Sequence, residues 1–492
     1  MLTCWGLQAI FSPSNYLFDM AKKAKKIKTN NGLKLEIVNP NAAGIDVSST
    51  EMQVCVPEDR DGDNTCTVYE VRGNRCFGTF TCDLHKISAW LKACKIDTIA
   101  MESTGVYWIP LYMRLIADGF DVLLGNAKAI KNIAEKKTDE VDAEWIMLLH
   151  SYGLLKASFQ PCNYAREIRN LVRHRDNLLR SSSKEVLHMQ KYMELMNIKL
   201  GIVISDILGK SGQNIISAIN GGERNPKVLA SLADPRCKAT PDEIEKSLEA
   251  NWDENLLFML KQSFDLYHYI QKQMVETEKK VESLILKYKA SLPQEMVHQT
   301  KCTRREKPES PKNKISIDIE QYAHELWGVN LMRIPGISKG SLFRLVGELG
   351  HDFVSRFNSY KEFCNWMNVV PNNKILVLCT KYAVSGGKVL SSKIPKRKNP
   401  VGQILRVAAN SLQNEKSHLG RYFRKIQSRK GRSYAIVATA NKLGRIIYAM
   451  VQNQTEYNEL LGDKDQVRIL EMKLKKTQKE LDKIQRQLNQ CA

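Results

Sequence analysis

The chain has 492 residues, with 74 Lys and Arg against 53 Asp and Glu and a net charge of +21. That length is enough for about three domains with real hydrophobic cores, and the cationic excess points to a polyanionic partner, nucleic acid before an anionic membrane surface. No window of about 18 apolar residues occurs, so no membrane-spanning helix is expected. The 12 cysteines form no Cys-x-x-Cys pair and no zinc spacing with histidine. A disulfide framework and structural zinc are therefore not expected, and reduced thiols in a cytoplasm suit the pattern.

In chain order, "MLTCWGLQAIFSPSNYLFDM" lacks a basic n-region and carries a proline in its apolar part. It makes a poor signal peptide, and Met20 before "AKKAKKIK" is a more natural beginning. Residues 1–40 are expected to be a basic, disordered extension. Residues 41–160 alternate between strand and helix patterns. "AAGIDVSS" and "MQVCVP" read as the first two strands, and "FGTFTC" alternates like a third. "DLHKISAWLKA" is helical, "DTIAME" a buried strand, "GVYWIPLYMRLIADG" a helix and "DVLLGN" another strand. The long helical stretch "AKAIKNIAEKKTDEVDAEWIMLLHSYG" follows. Three strands that begin antiparallel and continue parallel, with covering helices, suit a ribonuclease-H-like α/β fold.

The rest is mainly α. Residues 161–298 are expected to be helical, with Leu260, Tyr267, Met274 and Val281 repeating every seven like a coiled-coil seam. Such a seam serves another chain or the packing of one domain. Residues 299–322 read as a flexible insert, polar and proline-bearing at "QTKCTRREKPESPKNK". Residues 323–455 form a further helical domain. In it "LMRIPGISKGSLFRLVGELG" reads as helix, Pro-Gly turn, helix, an element whose second helix start suits phosphate. From Tyr382 to Met450 there are 15 Lys and Arg and one acid, Glu415. A solvated face mixes its signs, so this stretch is expected to contact nucleic acid. In the tail, 460–492, Val467, Leu474, Leu481 and Leu488 hold one heptad position. A coiled coil, dimerising or folded back, is expected there.

The acids are the remaining clue. In "KKTDEVDAEWI", Asp139 and Asp142 are neighbours on one helix face. Alone they are ordinary, because a helix N-terminus favours carboxylates. In a ribonuclease-H-like core, however, Asp46 ends the first strand and Glu102 ends "DTIAME" beside it. Four carboxylates then converge, and like charges that close raise one another's pKa. Two Mg²⁺ or Mn²⁺ ions about 3.5–4 Å apart would neutralise them and polarise a phosphodiester. An oxygen-only donor set favours those ions over zinc.

The motifs "GIDVSS", "MESTGVYW", "NAKAIKNIAEKKTDEVDAEWI", "IPGISKGS" and "SGGKVLSSKIPKRKNPVGQILRVAA" follow one another over Gly44 to Met450. In that order the chain resembles the DEDD-type insertion-sequence transposases, the "IS one-ten" family. The resemblance implies an amino-terminal RuvC-like ribonuclease-H domain joined through a coiled coil to a helical transposase domain. It implies a DNA recombinase that acts on double-stranded DNA, both element ends and target, and is guided by a structured non-coding RNA. Its unit would be a homodimer or homotetramer in the bacterial cytoplasm, at the nucleoid and not at a membrane. The resemblance puts the metal-binding and catalytic acids on Asp46, Glu102, Asp139 and Asp142, and a nucleophilic serine on Ser385 in "VSGGKVL". Ser391 and Ser392 are fallback nucleophiles. Lys388, Lys393, Lys396, Arg397, Lys398 and Arg406 would hold the nucleic-acid backbone. An apolar stretch, "KILVLCTKYAV", precedes Ser385 where the family is usually shorter.

Two alternatives remain open at this level. One is a metal-dependent nuclease of the junction-resolvase kind, using the same acids and a water with Ser385 idle. The other is a catalytically decayed, nucleic-acid-binding remnant.

Overall fold

The structure is a computed structural model. It describes residues 36–61, 73–103, 105–125, 139–155, 157, 158, 160, 163–293, 298, 314–370, 384, 385, 388, 389, 399–459 and short pieces between 471 and 481. The side chains of residues 139–141, 163, 384, 385, 388 and 389 stand outside that description. Residues 1–35 of the expected extension, 299–313 of the insert expected over 299–322 and 374–383 of the apolar stretch also lie outside the described residues; in the remainder of the insert, Ile315 and Ile317 are buried and Ile319 opens a helix. The chain divides into two compact units, residues 1–160 and 161–492.

The first unit is built on a five-stranded sheet. Its strands are β1 (Ala42–Val47), β2 (Glu51–Cys55), β3 (Asn74–Gly78), β4 (Thr98–Glu102) and β5 (Asp121–Gly125), in the order β3-β2-β1-β4-β5. The first three are antiparallel neighbours; β1, β4 and β5 are parallel. An antiparallel three-strand start continued by parallel strands is what the strand pattern implies; the spatial order comes from the structure. Side chains alternate between faces along each strand. On one face Ala43, Ile45 and Val47 of β1 join Ile99 and Met101 of β4 in a core. Helices α1 (Thr81–Ala93) and α2 (Trp108–Ala117) close it with Leu84, Ile87, Leu91, Leu111 and Leu115. On the other face, Ala100 of β4 packs against Ile146 of α3 (Asp139–Ser151).

The third strand sits earlier than its alternation implies. It ends at Gly78, and Thr81 already opens α1. Asp83 marks the change: its backbone N–H donates to Phe80 O at 2.8 Å, and its carboxylate occupies the space a Cβ on Gly78 would need. An acid in a first helical turn is also favoured by the dipole.

The second unit is helical. Two long helices, α4 (Asn163–Leu195) and α9 (Glu254–Ser291), run along each other. Between them in sequence lie α5 (Leu200–Val203), α6 (Lys210–Asn220), α7 (Pro226–Ser231) and α8 (Pro241–Ser247). These form a small lobe whose core includes Met193, Ile215, Ile216, Leu229, Leu248 and Leu260. The seven-residue seam of α9 therefore closes within this chain: Leu260, Met274 and Val281 are buried and Tyr267 is half-buried.

Helices α10 (Ile319–Trp327), α11 (Lys339–Leu349), α12 (Tyr360–Trp366), α13 (Pro400–Ser411), α14 (His418–Lys430) and α15 (Arg432–Asn453) complete the unit. The helix–turn–helix expected around "IPGISKGS" has only a 3-10 turn, Leu331–Arg333, as its first half. Ile334 precedes Pro335, a position disfavoured for helix. Ser338 then caps α11 by accepting from Ser341 N at 3.2 Å. Polar contacts bolt α11 to α4. Arg173 Nε donates to Glu348 at 2.7 Å and Arg344 Nε to Asp176 at 2.8 Å. Arg175 Nε donates to Glu278 of α9 at 2.5 Å, and Ser316 N also donates to Glu278, at 2.7 Å. In the tail, the described residues Glu471, Met472, Leu474, Lys475, Thr477, Gln478 and Leu481 are helical, with Leu474 62% and Leu481 56% exposed.

Candidate active site

The acids of the first unit are placed by strand register. Gly44 pairs with Ala100 and Ile45 with Met101, so one further step sets Asp46 beside Glu102 at the carboxyl ends of two adjacent parallel strands. Neighbouring strands lie about 4.8 Å apart. The two-residue period puts Asp46 on the face of Gly44, and Glu102 on the face of Ala100, which is the α3 side of the sheet. Glu102 is 3% exposed, and Asp46 is half-buried.

The direction of α3 brings in the other two. Its last residue, Ser151, accepts from Val38 N at 2.8 Å and Asn39 N at 2.9 Å, both before β1 begins. His150 Nε2 meets Thr98 Oγ1 at 2.8 Å, at the first residue of β4. The carboxyl end of α3 is thus pinned to the amino edge of the sheet. The helix runs back against the strands, so its amino end, whose sequence carries Asp139 and Asp142, lies toward the carboxyl edge. Asp142 is half-buried; the Asp139 side chain lies outside the described residues.

Gly44 makes this seating possible. A Cβ there would run into Ala143 O and Met147 N of α3, so only glycine lets the helix backbone lie on the strand. The same motif holds its turn through Ser48, whose hydroxyl donates to Glu51 O at 2.8 Å and accepts from Glu51 N at 3.0 Å. Ser103, directly after Glu102, donates to Gly125 O at 3.2 Å and ties the ends of β4 and β5. Gly44, Ser48 and Ser103 shape the edge, and His150 pins the far end of α3; the first three lie in the quoted motifs "GIDVSS" and "MESTGVYW", but the sequence reading gave none of the four a role. A glycine inside a strand is the one signal that points to such a close approach.

Among the described residues no three His, Cys, Asp or Glu side chains come together as a metal-ligating group; Asp46, Glu102 and Asp142 are in that set and do not form one, while the Asp139 side chain lies outside it. The donor chemistry of the edge is carboxylate oxygen throughout, which fits a hard divalent cation.

In the second unit Ser385 lies in a two-residue strand, β6 (Val384–Ser385), paired antiparallel with β7 (Lys388–Val389), and its partner is Lys388. The sequence between them is Gly386-Gly387, a pair that tight hairpins favour. Ser391, Ser392, Lys393, Lys396, Arg397 and Lys398 lie outside the described residues. Arg406, on α13, is half-buried; its Nη2 donates to Asn368 O at 2.6 Å, and burial lowers its pKa. One of its donors is therefore committed inside the protein.

Two family models match the chain. The transposase model for the DEDD domain of the IS110 type covers residues 43–198, and the model described as "Transposase IS116/IS110/IS902 family" covers residues 329–423. No curated protein gives a significant match. The first match contains the whole acidic edge, Asp46 to Asp142, and the second contains Ser385 and the start of the basic stretch. Together they span half of the chain in one order, and the chain belongs to the IS110-type transposases, enzymes of DNA transposition.

Proposed function

We propose that this transposase cuts and rejoins DNA through a covalent serine intermediate, assisted by a metal-binding carboxylate edge and guided by a structured RNA. The observation that carries the reading is the juxtaposition of Asp46 and Glu102 with the amino end of α3 at one sheet edge. Asp46, Glu102, Asp139 and Asp142 would hold Mg²⁺, or Mn²⁺, through oxygen atoms alone. When bound, such ions supply charge neutralisation at the phosphate being attacked.

Ser385 is the attacking group. Its hydroxyl loses a proton to a general base, its oxygen forms a bond to phosphorus, and the bond from phosphorus to the leaving deoxyribose oxygen breaks as that oxygen takes up a proton. The bond energy stays in a phosphoserine, ready for a second DNA hydroxyl to attack and release the serine. Gly386 and Gly387 let backbone approach the phosphate, and Lys388, Lys393, Lys396, Arg397, Lys398 and Arg406 hold the strand. The working unit is a homodimer or homotetramer on double-stranded DNA; exposure of the heptad residues Leu474 and Leu481 supports a partner helix. The excess of basic charge leaves room for RNA beside DNA. Among the described residues no helix is long and apolar enough to cross a membrane.

The test is a trapping assay with Mg²⁺, the RNA encoded beside the element and end-labelled element DNA, read on a denaturing protein gel. A labelled protein band that vanishes in both Ser385→Ala and Asp142→Ala supports the reading. Cleaved DNA without an adduct points to a water-using nuclease, and binding without either product to an inactive relative.

A further inference from the structure

The corner between α14 and α15 carries a second site. The two helices are joined by a single residue, Gly431, at φ 86 and ψ 170, and a Cβ there would meet nothing within 4 Å. Space is free, so the glycine is needed for its left-handed φ. The corner it makes is firmly held from below. Leu419 and Phe423 of α14 and Ala435, Ala440 and Leu443 of α15 are buried. Arg432 Nη2 donates to Asn410 Oδ1 at 3.0 Å, which ties the corner to α13, and Arg424 Nη1 donates to Glu415 O at 2.8 Å.

What faces outward is cationic and aromatic. Arg429 and Lys430 end α14 and are exposed, as is Lys425 one turn earlier. Tyr434, in the first turn of α15, is 58% exposed. From Lys416 to Thr455 the sequence has nine Lys and Arg and no acid. Cations alone suit the backbone of any duplex, which presents phosphates and hides its base faces. A bare ring among them has a further use only where a base is unstacked and can lie on it.

We propose that this corner binds an unpaired nucleotide of a single strand, with the base stacked on Tyr434 and the flanking phosphates on Arg429 and Lys430. Arg432 is a positioning residue that holds the corner against α13. The inference rests only on the nucleic-acid part of the proposed function and needs neither the acids nor Ser385. Single-stranded RNA and single-stranded DNA both supply the ligand chemistry.

The test is equilibrium binding of fluorescent oligonucleotides to the full chain in EDTA, so that no cleavage intervenes. Single-stranded RNA, single-stranded DNA and duplex DNA of one sequence are compared. Tyr434→Ala weakens single-strand binding by about 5- to 100-fold, the loss of one stacked base, and leaves duplex binding within about twofold. Tyr434→Phe keeps the affinity, and the strand with the larger loss in Tyr434→Ala identifies the source. Unchanged single-strand affinity in Tyr434→Ala, or an equal loss on duplex and single strand, overturns the proposal. Thermal melting of Tyr434→Ala at the wild-type temperature keeps a folding defect out of the comparison.

Discussion

The acidic edge of the first unit and the basic corner of the second are built in opposite ways. The edge sets Asp46 beside Glu102 at two strand ends and brings the amino end of α3, which carries Asp139 and Asp142, toward the same edge, through register and helix direction. The corner lies almost entirely within Arg429–Tyr434, turned by one glycine. A site assembled from afar depends on how its supports are seated, so a change remote from the acids can dismantle it. A contiguous site depends on its own side chains, so its losses are local and graded.

The largest effects are expected at the edge. Asp46→Asn or Glu102→Gln should lower strand cleavage by at least about 100-fold, several kcal/mol of transition-state charge stabilisation. Oligonucleotide affinity should change little. Normal cleavage by Asp46→Asn would remove the edge from the chemistry altogether.

Glu278 provides the contrasting acid. It is 1% exposed and bonded to Arg175 and Ser316. Glu278→Ala leaves Arg175 buried without that partner and should cost about 3–5 kcal/mol of stability in urea unfolding. The metal dependence of cleavage should not move; if it does, the two classes of acid are not separate.

Gly44→Val tests the seating. Its side chain collides with the α3 backbone, which should cost about 1–3 kcal/mol or more in unfolding free energy. Cleavage should fall with it, although Gly44 carries no reactive group. Retained cleavage with a lowered melting temperature would mean that α3 can shift without disturbing the acids.

At the corner the effect is graded. Arg429→Ala with Lys430→Ala should reduce the salt slope of single-strand binding by about 1.4, or 0.7 per lost phosphate contact. Unfolding should be unaffected, since both side chains are exposed. An unchanged slope would place the strand elsewhere on the basic stretch.

The smallest effect concerns the pin at the far end of α3. Burial holds the His150 imidazole below its ordinary value of 6.5, with Asp121 opposing. The unfolded chain therefore takes up a proton before the folded one. The stability from neutral His150 is complete above pH 6.5 and is lost as pH falls through the folded value. His150→Gln should flatten the stability curve below pH 6.5, as read by thermal melting, and leave it unchanged above.

Much of the fold was legible because its signals are local. Alternation in "AAGIDVSS" and "DTIAME" and the helical spacing of "DLHKISAWLKA" each reflect a period of two or 3.6 residues. The alternation of "FGTFTC" places β3 too late, because the strand ends at Gly78 and the first turn of α1, with Asp83 N donating to Phe80 O, takes up the rest. The helix expected before Pro335 shrank to one 3-10 turn for an equally local reason, the proline itself.

Local signals in the sequence were enough for the succession of strands and helices, the helical stretch that carries Asp139 and Asp142 and the concentration of basic charge, all properties of neighbouring residues. The sequence also displayed Arg429, Lys430 and Tyr434 together, although nothing in it said that they face solvent. That Asp46 lies beside Glu102, that α3 runs back across Gly44 and that the seam of α9 closes on α4 of the same chain follow from long-range packing. The physical reason is that burial of apolar surface is non-directional. An amphipathic stripe states that a face must be covered. Register, backbone approach and hydrogen-bond partners select what covers it, and with it which strand ends lie side by side.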